Sequence, residues 1–172
     1  MAETNGLRDV YIEQLRDLYD AEHRLIKALP KMAKAADSPE LRSGFEEHLE
    51  QTKGHAERLE QIFQSMGEPA KAKKCKGIEG IIDEASDVLD EDFAGAVMDA
   101  AIIASAQRVE HYEMAGYGSA RSFAEQLGET KAASLLQQTL NEEKETDAKL
   151  TKMSAQINPR AAGGGLGRAA RA

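Results

Sequence analysis

Leu15-Arg16-Asp17-Leu18-Tyr19-Asp20-Ala21-Glu22-His23-Arg24-Leu25-Ile26-Lys27-Ala28-Leu29 decides the reading of this chain. Its apolar residues Leu15, Leu18, Tyr19, Leu25, Ile26 and Leu29 recur at the three-and-four spacing of a helix, and Glu22 stands in the middle of that stripe. A carboxylate buried without a partner is costly, so an inward glutamate calls for a neutralising group. Three further helical stretches interrupt their stripes in the same way, with Thr52 and His55, with Glu110, and with Glu143 and Asp147. Clustered inward carboxylates of this kind point to a metal ion.

Working outward, 172 residues fit one domain with a core of its own. The absence of Trp, four prolines and an abundance of Ala, Glu, Leu, Lys and Gln favour an all-α protein. A net charge of -8 argues against nucleic acid as a partner. A single cysteine, Cys75, excludes an internal disulfide and a cysteine-based zinc site. The polar start, Met1 to Gly6, lacks a secretory pattern, and the longest apolar run, Ala100 to Ala104, is too short for a bilayer. The expectation is a cytoplasmic protein without a membrane span.

Helix A is expected from Leu7 to Ala36, with Pro30 inside it. Ser38 as N-cap, Pro39 at the first helical position and Glu40 in the first turn start helix B, which stops at Gly67. A loop with Pro69 and a lysine patch (Lys71, Lys73, Lys74, Lys76) leads to a short helix over Ile78 to Leu89. Helix C begins near Asp90 to Asp92, whose carboxylates suit a helix N-terminus, and stops at Gly128. Helix D spans Glu129 to Ile157 and is closed by Asn158 and Pro159. Residues 1–158 therefore form the bundle and 159–172 a Gly/Ala/Arg-rich flexible tail. Leu166, flanked by Arg160, Arg168 and Arg171, offers a segment for docking a larger partner, although a free end is the simpler reading. Short A-to-B and C-to-D links with one long crossover describe the connectivity of ferritin-like folds.

On helix B the stripe Phe45, Leu49, Thr52, Ala56, Leu59 and Phe63 has Thr52 at its centre and His48 and His55 on one flank. On helix D, Glu143 and Asp147 lie one above the other. Helix C has a broad stripe that Glu110 borders, and a loose internal repeat relating Glu22-His23 to Glu110-His111 favours Glu110. The candidate ligands are thus Glu22, His48, His55, Glu110, Glu143 and Asp147, with Tyr19 and Tyr117 read as packing residues and His23 and His111 as exposed or supporting groups.

Leu18-Tyr19-Asp20-Ala21-Glu22 with Ala28-Leu29-Pro30-Lys31-Met32, His48-Leu49-Glu50-Gln51-Thr52 with Glu57-Arg58-Leu59-Glu60, and Val109-Glu110-His111-Tyr112-Glu113 with Tyr117-Gly118 resemble the YciE/YciF family of ferritin-like proteins, small relatives of rubrerythrins. The resemblance implies a bacterial stress-response protein, a homodimer, and a di-iron or di-manganese centre with no settled reaction. The inward carboxylates lead to the expectation of one or two Fe or Mn ions per chain serving ferrous-iron oxidation or peroxide removal. The alternative is a non-catalytic, dimeric helical-bundle interaction protein with a degenerate centre. The ferritin-like pattern takes one Glu from each of two helices and Glu-x-x-His from the other two. This chain offers Thr52-x-x-His55 and Glu143-x-x-Thr146 instead, so it lacks a glutamate on helix B and a histidine on helix D.

Overall fold

The computed structural model describes residues 6–164, which form five helices and, among the described residues, no strand. They are α1 (Leu7–Ala35), α2 (Pro39–Met66), α3 (Lys76–Asp90), α4 (Ala96–Gln126) and α5 (Thr130–Gly164). Helices α1 and α2 pair, α4 and α5 pair, and the pairs close through α1 on α4 and α2 on α5, while α3 lies against α1 and α4. The architecture is the expected all-α, ferritin-like four-helix bundle with an extra helix in the crossover.

Local chemistry sets the boundaries. The Ser38 hydroxyl accepts the Leu41 N–H with Pro39 at the first position of α2. Gly67 and Gly128 adopt positive φ of 67° and 75°, the left-handed conformation in which glycine avoids a Cβ clash, and they end α2 and α4 where the sequence places them. Two boundaries differ from expectation. Asp90 ends α3, and α4 starts only after Gly95, whose φ of 57° turns the chain into it. Helix α5 runs through Pro159 to Gly164 rather than stopping at Asn158. Ala155, whose carbonyl loses its helical donor to Pro159, lies on the exposed side of the helix. The docking segment around Leu166 lies outside the described residues. Lys71, Lys73 and Lys74 before α3 and Lys76 at its first position are exposed, whereas Cys75 among them is buried, its Sγ between Asp17 and the Tyr112 hydroxyl.

The core falls into two apolar layers. One holds Leu25, Leu29, Phe45, Ile78, Ile102, Val109 and Leu150, the other Leu15, Leu18, Leu59, Phe63, Tyr117, Leu136 and Leu140. On each long helix the layers are separated by polar buried residues: Glu22 on α1, His48 to His55 on α2, Glu110 and Glu113 on α4, Glu143 on α5. Gly116 lets α4 approach α1 closely, since a Cβ there would stand 2.8 Å from Leu18 Cδ2.

Buried Asp99 fixes how the first hairpin meets the second. Its two oxygens accept the Asp37 and Ser38 N–H groups at 2.7 and 3.0 Å, tying the α1–α2 link to the start of α4. Hydrogen bonds to a charged acceptor are the stronger kind, so Asp99→Ala should destabilise the bundle by about 2 kcal/mol in urea unfolding. An unchanged midpoint and slope would contradict this role.

Candidate metal centre

The four long helices bring six ionisable side chains into the polar layer, all buried: Glu22, His48, His55, Glu110, Glu113 and Glu143. Two groups of donor atoms lie within 4.8 Å of one another: His48, Glu110, Glu113 and Glu143 form one, Glu22, His55 and Glu143 the other, so Glu143 is common to both. His55 Nδ1 stands 2.9 Å from Glu143 Oε1 and 3.5 Å from Glu22 Oε1. His48 Nε2 stands 3.2 Å from Glu110 Oε1 and 3.8 Å from Glu143 Oε2. Close as they are, these nitrogens have no hydrogen-bond partner. Glu22 Oε2, Glu110 Oε2 and both oxygens of Glu113 and of Glu143 are likewise buried without one.

That combination fits a metal ion. Ligand atoms about 2.1 Å from a six-coordinate cation stand about 3 Å from one another, each aiming its lone pair at the ion rather than at its neighbour. Close contact without hydrogen-bond alignment is the result. Four ionised glutamates are balanced by two divalent cations.

The groups behind the donors point the same way. His55 Nε2 bonds Glu142 Oε2 at 2.8 Å, and Arg58 grips Glu142 through Nη1 and Nη2 at 2.7 and 2.8 Å. An anion held on Nε2 keeps the proton there and leaves the Nδ1 lone pair facing Glu22 and Glu143, the usual arrangement of a metal-binding histidine. His48 Nδ1 meets Gln51 Oε1 and the Thr146 hydroxyl, each at 3.3 Å, which leaves Nε2 for the centre. The Tyr117 hydroxyl donates to Glu22 Oε1, orienting that carboxylate, while Oε2 stays buried without a partner.

Electrostatics without a cation show the strain. Burial pushes the Glu22, Glu113 and Glu143 carboxyls upward, most of all Glu113, where Glu22, Glu143 and Glu110 add like-charge repulsion. Burial alone would lower both histidines, but the carboxylates overcome it, raising His48 to about 9 and His55 to about 11. Glu142 runs opposite: burial raises it, and Arg58 and His55 more than offset that and bring it down.

Set against the sequence expectations, five of the six named residues converge here. Asp147 stands apart, at the edge of the interface, accepting from Gln107 Nε2 at 3.0 Å with His111 Nε2 at 3.4 Å. Its four-residue step from Glu143 keeps it on the same side of α5 but turns it outward. Central Thr52 is buried, yet its hydroxyl donates to the His48 carbonyl at 2.8 Å and is spent on the backbone. Glu113 escaped the sequence reading; its signal is the series Ala106, Glu110, Glu113, Tyr117 and Ala120 at three-and-four spacing, hidden in the broad apolar surface of α4. His48 comes from α2 to lie beside Thr146, where the ferritin-like pattern would put a histidine of α5, and Glu113 restores the carboxylate absent at Thr52.

The family described as Domain of unknown function (DUF892) matches residues 6–162. Protein YciF of Escherichia coli K12 is 47% identical over 149 residues, 86% of this chain and 90% of that one. The crystal structure of the E. coli stress protein YciF superposes with a TM-score of 0.88 at 44% identity, covering 91% of this chain and 99% of that chain. The solved structure of YcfI from Rhodopseudomonas palustris, described as a candidate structural protein, gives 0.84 at 41% identity, covering 87% and 96%. The chain belongs to the DUF892 family, and the YciE/YciF resemblance of its motifs holds.

Two outcomes follow. Glu142→Gln should cut Mn²⁺ affinity by about tenfold or more in equilibrium dialysis, because it releases the His55 tautomer; unaltered affinity would remove Glu142 from the centre. Glu113→Gln in metal-free protein should raise stability by about 1–2 kcal/mol in urea unfolding, by relieving buried repulsion; a destabilised variant would show that this carboxylate has a partner within the chain.

Proposed function

We propose that this member of the family is a non-haem di-metal carboxylate protein of stress defence, holding Fe or Mn ions in a ferritin-like bundle and spending them on ferrous-iron oxidation or peroxide removal. The observation that carries this reading is the pair of donor groups sharing Glu143, in which His48 Nε2, His55 Nδ1, Glu22 Oε2, Glu110 Oε2 and both oxygens of Glu113 and Glu143 lack a hydrogen-bond partner. His48, Glu110, Glu113 and Glu143 would hold one ion, and Glu22, His55 and Glu143 the other. Carboxylate-rich ligands with one imidazole each suit Fe²⁺ or Mn²⁺, although intrinsic affinity still favours later metals.

When bound, two such ions supply the two electrons that reduction of a peroxide O–O bond requires. The chain supplies the rest. Arg58 and Glu142 set the direction of His55, Tyr117 holds Glu22, and the apolar layers above and below the centre keep bulk water from the carboxylates. Stress defence is the role suggested by the description of E. coli YciF.

A second reading, a non-catalytic homodimeric interaction protein with a degenerate centre, takes its support from the structural role suggested for YcfI. The two part on one measurement. Protein purified without chelators should contain close to two Fe or Mn ions per chain by elemental analysis. Glu143→Ala should lose both, while Glu22→Ala loses one, and the loaded protein should consume hydrogen peroxide with oxidation of Fe²⁺. A chain that takes up no metal at any excess would refute the di-metal reading in favour of the interaction protein.

A further inference from the structure

A cavity of about 170 Å³ lies between the crossover helix and the bundle. Leu25 and Leu29 of α1, Phe45 of α2, Ile82 and Leu89 of α3 and Val109 of α4 give it an apolar wall. Its mouth carries Lys31, Asp83 and Ser86, all exposed, and among its inner residues is Glu110, which is 2% exposed and has Oε2 unpartnered. The other polar inner residue, Ser105, spends its hydroxyl on the Ala101 carbonyl at 3.2 Å. One residue, Glu110, therefore lines both the apolar chamber and the candidate metal centre, where its Oε1 stands 3.2 Å from His48 Nε2.

We propose that this cavity is a binding pocket for a small, uncharged, apolar molecule, up to about the size of benzene, which it presents to the Glu110 side of the centre. Size and chemistry both select such a guest. Cavities of about 150 Å³ lined by aliphatic and aromatic side chains stay dry and take up benzene or xenon. A hydrated cation or an anion entering here would exchange its water for hydrocarbon at a prohibitive cost, so metal ions reach the centre by another way. Helix α3 roofs the chamber with Ile82, Ala85 and Leu89, which gives the crossover helix a role beyond connection: it defines how large a molecule can enter. That the guest meets a metal rests on the di-metal reading; the pocket itself does not.

The test titrates the full chain with benzene, followed by methyl NMR, with Mn²⁺ content measured on matched samples. Saturable shifts confined to the methyl groups of Leu25, Leu29, Ile82, Leu89 and Val109 are expected in the metal-free protein. Ala85→Phe, which fills the chamber from α3, should weaken benzene binding at least tenfold and leave Mn²⁺ per chain unchanged. Ala106→Leu on α4 fills it from the opposite wall and should act alike, so the test survives if one variant does not fold. Glu110→Gln should do the reverse, keeping benzene and losing Mn²⁺ affinity. Absence of saturable shifts in the wild type, or benzene affinity unchanged in the filled variants, would overturn the pocket. Benzene binding in a chain that takes up no Mn²⁺ would leave the pocket standing and remove the metal reading.

Discussion

Four glutamates buried within reach of one another are the constraint on which everything else in this molecule depends. Like charges at such separations in a poorly solvated interior repel strongly, and each carboxylate has given up its hydration. Among the described residues, unpartnered buried carboxylates gather in this one place. Apolar layers above and below it, built from the same four helices, supply the burial that stabilises the bundle. Asp99, the capped start of α2 and the glycine stops at Gly67 and Gly128 then fix the register so that the polar residues of all four helices meet at one height.

Much of this was legible in the chain. Glu22 and Glu143 sit at the centres of clean apolar stripes, and a helix that buries such a stripe turns its central residue inward. The A-to-B hairpin was equally plain, because Ser38-Pro39-Glu40 and Gly67 are strong local signals. The rest depended on distances between helices, to which periodicity is blind. His48 and His55 lie on the flank of the α2 stripe, and only the presence of α4 and α5 turns that flank into interior. Glu113 was concealed because α4 is apolar around most of its girth. The supporting chain of Arg58, Glu142 and His55 joins residues more than 80 positions apart, and nothing in either segment announces the other.

Departures from the common ferritin-like pattern read differently once the geometry is known. A missing glutamate at Thr52 and a missing histidine at Thr146 suggested a weakened centre. The structure keeps the number of charged and imidazole donors up by other means, taking His48 from α2 and Glu113 from α4. The number of candidate donors is thus preserved while their distribution over the helices changes. Such an exchange is open to a bundle because neighbouring helices present side chains to the same axial space, so either neighbour can fill a given coordination position.

Repulsion among the buried carboxylates and the proposed affinity for a cation are two faces of the same arrangement, since whatever relieves the repulsion is bound by that energy. The most direct test is a crystal of the full chain grown with Mn²⁺ and measured at the manganese edge. Two anomalous peaks on either side of Glu143, about 3.5–4 Å apart as in two-metal sites, are expected. A map without a peak in the bundle interior, with the carboxyl groups protonated and bonded to one another, would contradict the account.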